Sequence, residues 1–105
     1  MNDSTCHVHQ IAEEISPPES GKQSVILVDD ERNKVIAFAF AEGEGLAEHV
    51  APLPVTIQIV SGDATLTLED RNIDGKPGTF LQLNPKIPHS ITAKTPLVMV
   101  VMLRK

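Results

Sequence analysis

The chain has 105 residues, of which 41% are hydrophobic and 22% are charged. This length fits one domain, and this composition is typical of a globular chain and not of a disordered one. The formal net charge is -5, and the only aromatic residues are three phenylalanines. An acidic surface without basic clusters or a set of stacking rings argues against nucleic acid and anionic membranes as partners.

The cysteine content and the N-terminal segment indicate the cellular compartment of the protein. Cys6 is the only cysteine, so no disulfide can form within the chain, and nothing indicates an oxidising compartment. The first ten residues are polar and lack the basic start and apolar stretch of a signal peptide. No apolar run approaches the roughly 20 residues that a membrane helix needs. These features predict a cytoplasmic protein that does not enter a membrane.

The character of the sequence changes near residue 21. Residues 1–21 are polar and are predicted to form an N-terminal arm with one helical turn near Ile11 to Ile15. Residues 22–105 contain short runs of β-branched and other apolar residues between turn signals, which predicts one all-β barrel domain. The candidate strands are Ser24 to Val28, Lys34 to Phe40, Val55 to Val60, Ala64 to Glu69, Thr79 to Leu83, His89 to Ala93 and Leu97 to Leu103.

Two candidate strands differ in their apolar pattern. The strand from Ala64 to Glu69 alternates apolar and polar residues, which predicts one buried face and one wet face. The strand from Leu97 to Leu103 is apolar on both faces. This pattern predicts that its inner face packs on the opposing sheet and its outer face on a second subunit. We therefore expect a homodimer. Because no helix of ordinary length fits, the candidate architectures are a sandwich, a jelly roll and a closed barrel.

The histidines are the residues best suited to chemistry. His7 and His9 form an H-x-H pair that could share a metal ion on an extended backbone, but in a terminal segment a solvated pair is the favoured interpretation. His49 follows a glycine-rich segment, and His89 follows residues 85–88, where two prolines fix the backbone. We expect both of the latter histidines at strand entrances.

The spacing of glycines and histidines from Gly43 onward carries a family resemblance. The pattern G-x5-H-x-H-x3-E-x6-G is matched by Gly43, His49 and Gly62, and the pattern G-x5-P-x-G-x2-H-x3-N is matched by Gly78 and His89. These are the two motifs of the cupins, and the chain resembles the small single-domain cupins with an RmlC-like barrel. The resemblance implies a jelly-roll barrel of antiparallel strands, in which three histidines and a glutamate hold a metal ion at the barrel mouth.

Several motif positions carry other residues. Ala51 stands at the second histidine position and Val55 at the glutamate position. The proline, glycine and asparagine of the second motif are replaced by Asn84, Lys86 and Ala93. The resemblance thus leaves His49 and His89 as ligands of a divalent transition metal, although such sites generally keep at least three protein ligands. A third ligand would come from Glu44, Glu48, Gln58, His7 or His9.

Three functions remain open. The first is a stand-alone cupin that binds a small molecule, with or without a weakly held metal, at the barrel mouth near His49 and His89. The predicted pocket residues are Ala51, Val55, Ile57, Phe38 and Phe40. The second is a metal-dependent enzyme of the dioxygenase, isomerase or decarboxylase type, with a carboxylate such as Glu48 or the arm histidines completing the ligands. The third is a structural or interaction module with a closed barrel.

Overall fold

A computed structural model describes residues 6–105, which contain one short helix and nine strands. The helix α1 is Ile11–Glu14, and the strands are β1 (Lys22–Asp29), β2 (Asn33–Phe40), β3 (Gly45–His49), β4 (Val55–Ser61), β5 (Ala64–Leu68), β6 (Arg71–Gly75), β7 (Phe80–Leu83), β8 (His89–Ala93) and β9 (Leu97–Arg104). No helix among these residues is long and apolar enough to cross a membrane.

The strands form two antiparallel sheets. The five-stranded sheet has the order β1-β2-β9-β4-β7, and the four-stranded sheet has the order β3-β8-β5-β6. Side chains from the inner faces of both sheets share one hydrophobic cluster, so the sheets pack face to face. This arrangement confirms the predicted all-β jelly-roll barrel.

The core lies between the two sheets. Inward positions recur every second residue along the strands, as the pleat of a β-strand requires. The largest fully buried side chains are Phe40, Ile57, Ile59, Leu66, Leu97 and Met99. The alternation predicted for β5 is present, since Ala64 and Leu66 are fully buried whereas Thr65 between them is half-buried. Burying each large apolar side chain contributes about 1.5–3 kcal/mol.

The N-terminal segment packs on the outer face of the five-stranded sheet. Ile15 is only 7% exposed and forms a second cluster with Ala37 and Ala39 of β2 and Val98 of β9. The two small alanines leave room for the isoleucine against the sheet. The outer face of β9 is thus covered at Val98 by residues of the same chain, and the homodimer predicted from this strand stays a prediction.

Two strands of the four-stranded sheet are not predicted by the sequence pattern. Strand β3 has a single large apolar residue, Leu46, and in β6 only Ile73 and Gly75 face inward. Asp74 and Gly75 of β6 pair with Thr65 and Ala64 of β5. Both strands lie at sheet edges, where pairing with one neighbour suffices and a continuous apolar pattern is not required.

Candidate ligand-binding site

The pairing of β3 with β8 brings His49 and His89 together. The two residues are direct cross-strand partners, their ring centroids are 4.2 Å apart, and their ring planes are inclined at 55°. His89 is the first residue of β8, as predicted, but His49 is the last residue of β3 and not the first residue of a strand. They meet because antiparallel strands place the end of one beside the start of the other.

A bulge in β3 turns His49 inward. Leu46 pairs with Ile91 and His49 pairs with His89, so three steps along β3 correspond to two along β8. Residues three apart on a regular strand point to opposite faces, whereas the extra residue of a bulge restores the same face. Leu46 and His49 accordingly line the same cavity.

Gly45 allows β3 to approach β8 closely. A Cβ atom at this position would lie 1.8 Å from the carbonyl oxygen of Ile91, well inside any permitted contact. Any side chain here would separate the two strands before the bulge is reached. The glycine therefore contributes directly to the position of His49.

The backbone fixes the orientation of both imidazoles. Nδ1 of His49 is 2.9 Å from the carbonyl oxygen of Ala47, and Nδ1 of His89 is 2.9 Å from that of Ile87. A carbonyl oxygen only accepts, so each Nδ1 carries a proton, and in the neutral ring Nε2 is then an acceptor. Within residues 6–105, no hydrogen bond reaches Nε2 of either ring.

The two histidines lie in the wall of a cavity of about 240 Å³. His89 is 4% exposed, whereas His49 lies at the open side and is exposed. All other described residues of the wall are aliphatic, proline or phenylalanine, and none of them is charged. A cavity of roughly 150 Å³ holds a benzene ring. The site therefore has room for a molecule somewhat larger than a six-membered ring.

Four of the five predicted pocket residues lie in this wall and one does not. The four are Ala51, Val55, Ile57 and Phe38. Phe40 does not line the cavity: it lies two residues beyond Phe38 on β2, where it is fully buried in the core and its ring stacks on that of Phe38 at a centroid distance of 5.8 Å. Seven further wall residues were not predicted from the sequence: Ile36, Leu46, Val50, Pro52, Ile91, Val101 and Leu103. Inward alternation along β2 and β9 signals three of these: Ile36, Val101 and Leu103.

Two backbone hydrogen bonds tie the loops around the cavity. The amide of Lys86 donates to the carbonyl of Ala51 over 2.9 Å, and the amide of Glu69 donates to the carbonyl of Pro88 over 2.8 Å. Lys86 has a positive φ of 71°, at the motif position where the resemblance implies glycine. The first bond holds the segment before His89 against the segment after His49, and the second holds it against the turn between β5 and β6.

The metal-binding side chains near the cavity do not fit the four-ligand metal centre that the resemblance implies. Among residues 6–105, no group of three histidine, cysteine, aspartate or glutamate side chains could hold a metal ion. His9, a candidate third ligand, binds Glu14 and the carbonyl of Leu27 on β1. The other candidates, His7, Glu44, Glu48 and Gln58, are all exposed and do not line the cavity. The structure thus brings together only the two predicted ligands His49 and His89.

Comparison with known proteins identifies the fold. No family model matches the sequence, and no curated protein matches it. Among solved structures, a conserved protein of unknown function from Streptococcus pyogenes is 21% identical with a TM-score of 0.86, over 100% of this chain and 92% of that one. A cupin superfamily protein from Desulfitobacterium hafniense is 26% identical with a TM-score of 0.85, over 90% of this chain and 86% of that one. An RmlC-like cupin from Desulfovibrio desulfuricans is 20% identical with a TM-score of 0.85, over 94% and 96% of the two chains.

The structural neighbours also include enzymes. A salicylate 1,2-dioxygenase from Pseudoaminobacter salicylatoxidans is 12% identical with a TM-score of 0.74, over 79% of this chain and 25% of that one. At this identity the likeness concerns the fold alone, because one fold supports many activities. The two motif histidines, the jelly-roll topology and these neighbours agree. This protein therefore has the fold of the small RmlC-like cupins.

Proposed function

We propose that this protein binds a small, largely apolar molecule in the barrel cavity, with the polar end of the molecule at His49 and His89. One observation carries the proposal: a wholly apolar wall is interrupted at one place, by two oriented imidazoles whose Nε2 atoms have no partner among residues 6–105. An apolar cavity with a few convergent polar groups is the usual form of a small-molecule site. Ala51 and Val55, at the positions of metal ligands, contribute apolar surface instead.

The test is a screen of small ring-containing and branched compounds by two-dimensional NMR. Binding in the cavity is expected to shift the signals of Leu46, Ile57 and Ile91 and to raise the melting temperature, because a ligand that binds only the folded state stabilises it. The matched variants are Ala51→Leu, which fills the cavity, and Ala12→Leu, which adds the same volume at an exposed position on α1 outside its wall. Binding should be lost in the first variant and kept in the second.

The opposite results would remove this function. A screen in which no compound shifts these signals, or in which Ala51→Leu binds as well as the wild type, leaves no ligand for the cavity. The closed structural or interaction module would then be the better description. The melting temperature of both variants should be measured without compound, so that a loss of folding is separated from a loss of binding.

A metal-dependent enzyme is the second candidate, and the anchoring of the imidazoles favours it. Histidines that bind metals usually donate their other ring N–H to a carbonyl or carboxylate, as His49 and His89 do through Nδ1. Metal content of protein purified without chelators or an affinity tag, compared with His49→Ala and His89→Ala, tests this candidate. Stoichiometric metal in the wild type that is lost in both variants would support it. Absence of metal after incubation with excess Fe(II), Mn(II), Zn(II) or Ni(II) would exclude it.

A further inference from the structure

We infer that the cavity selects neutral molecules that carry hydroxyl groups on a compact apolar body, and that it rejects carboxylates and ammonium ions. This inference rests on the proposed function and adds the chemical class of the ligand. It is carried by the hydrogen-bonding roles that the backbone assigns to the two histidines and by the absence of charge from the cavity wall.

In their neutral forms, the two imidazoles are oriented as a pair of hydrogen-bond acceptors. The Ala47 and Ile87 carbonyls hold the proton of each neutral ring on Nδ1. Each Nε2 then presents a lone pair and no proton. A ligand group that satisfies His89, which is 4% exposed, must therefore donate a hydrogen bond. Leaving a buried polar atom without its partner costs free energy, so the need for a donor discriminates between ligands.

The cavity wall sets the charge of the ligand. Within the described part of the chain, residues 6–105, it contains no lysine or arginine to pair with a carboxylate and no aspartate or glutamate to pair with an ammonium ion. Transfer of an unpaired charge into apolar surroundings is strongly unfavourable. A carboxylate would also place its acceptor oxygens against the two Nε2 acceptors. A hydroxyl group is neutral and donates, so it meets both conditions.

The proximity of the rings makes a second hydroxyl group useful. With ring centroids 4.2 Å apart, the two acceptors belong to one small region of the wall. A single hydroxyl group satisfies one Nε2 atom at a time, whereas two adjacent hydroxyl groups can donate to both. We therefore expect a vicinal diol to bind more tightly than a mono-alcohol on the same ring.

Four saturated six-membered rings of similar size test the ligand class. The probes are cyclohexanol, cis-1,2-cyclohexanediol, methoxycyclohexane and cyclohexanecarboxylate, titrated at neutral pH with the signals of Leu46 and Ile91 as the readout. Cyclohexanol is expected to bind about fivefold more tightly than methoxycyclohexane, as one net hydrogen bond allows. The diol should bind more tightly still, and the carboxylate should not bind measurably.

Several outcomes would overturn the inference. Equal or tighter binding of methoxycyclohexane shows that no donor is needed, and binding of the carboxylate shows that charge is tolerated; in both cases the proposed function stands. If none of the four probes binds, the ligand class is wrong, and the broader screen with Ala51→Leu decides separately whether the cavity binds anything. Long-range nitrogen NMR provides an independent check, since both neutral rings should carry the proton on Nδ1. A proton on Nε2 in both rings would also refute the inference.

Variants of His49 separate recognition from folding, because this residue is exposed and tolerates change better than His89. In His49→Leu, the extra affinity of the diol over cyclohexanol should disappear. In His49→Gln, which retains an acceptor oxygen, part of that extra affinity should return. A diol preference that survives His49→Leu unchanged contradicts the use of both rings.

Discussion

Lys86 adopts a left-handed backbone conformation, with φ of 71°, at the position where the cupin motif has glycine. A side chain in this region is strained by about 1–2 kcal/mol through contact of Cβ with the backbone. The cavity needs this conformation, since it directs the Lys86 amide to the carbonyl of Ala51. The backbone at position 86 thus keeps the left-handed conformation that suits the motif glycine, and the strain arises because a lysine occupies this position.

Replacing Lys86 by glycine should stabilise the protein by about 0.5–1 kcal/mol. The gain is smaller than the strain removed because glycine also gives the unfolded chain more freedom. Urea unfolding checks this, with a higher midpoint and an unchanged m-value. Lys86→Ala is the control, because it removes the long side chain and keeps Cβ, and it should give no gain. A lower midpoint for Lys86→Gly would show that the lysine side chain itself stabilises the fold.

At the scale of elements, β3 and its pairing with β8 decide whether a site exists. Strand β3 is an edge strand and pairs with β8 alone, so its position depends on few hydrogen bonds. Its bulge brings Leu46 and His49 to one face. A glycine-rich segment with charges gives no strand pattern, which explains why the sequence predicts the histidine but not the strand that carries it.

Gly45→Ala tests the close pairing of these strands. The added methyl group would meet the Ile91 carbonyl, and separating the strands should cost about 1–3 kcal/mol, as overpacking does. Because His49 moves with β3, the variant should also lose binding of the cavity probes. Glu48→Ala, an exposed change on the same strand, should alter stability by less than about 0.5 kcal/mol and leave binding intact. Unchanged stability and binding in Gly45→Ala would contradict this account of the site.

At the scale of the whole molecule, the barrel is joined to its N-terminal segment by apolar and polar contacts. Ile15 packs on β2 and β9, and His9 contacts both Glu14 and the carbonyl of Leu27 on β1. Carboxylate and carbonyl oxygens both accept, so only the doubly protonated imidazole satisfies the two contacts. The hydrogen bond that His9 donates to the Glu14 carboxylate raises the pKa of His9 above its ordinary value of 6.5.

Attachment of the N-terminal segment should therefore weaken as the pH rises. Because the pKa of His9 is raised in the folded state, the stabilisation of the N-terminal segment by protonated His9 is fully present below about pH 6.5. This stabilisation is lost as the pH rises through the folded-state pKa. The Ile15 amide donates a hydrogen bond to the carbonyl of Ile11, and its protection factor against hydrogen exchange measures the attachment. The pH dependence of this protection factor should disappear in His9→Gln and persist in His7→Gln. A pH dependence that is unaffected by His9→Gln would assign it to another group.

The sequence alone determined the all-β class, the inward alternation of the central strands and the relation of His49 to His89. These follow from local propensity, from the two-residue period of a strand and from motif spacing, all of which can be read along one chain. Only the tertiary structure shows the bulge that turns His49 inward. It also shows that Phe40 is buried in the core and does not line the cavity, and that Ile15 packs on Val98. It also placed Nδ1 of both histidines on backbone carbonyls. These features depend on contacts between residues and strands in three dimensions, and no property of the individual residues specifies them.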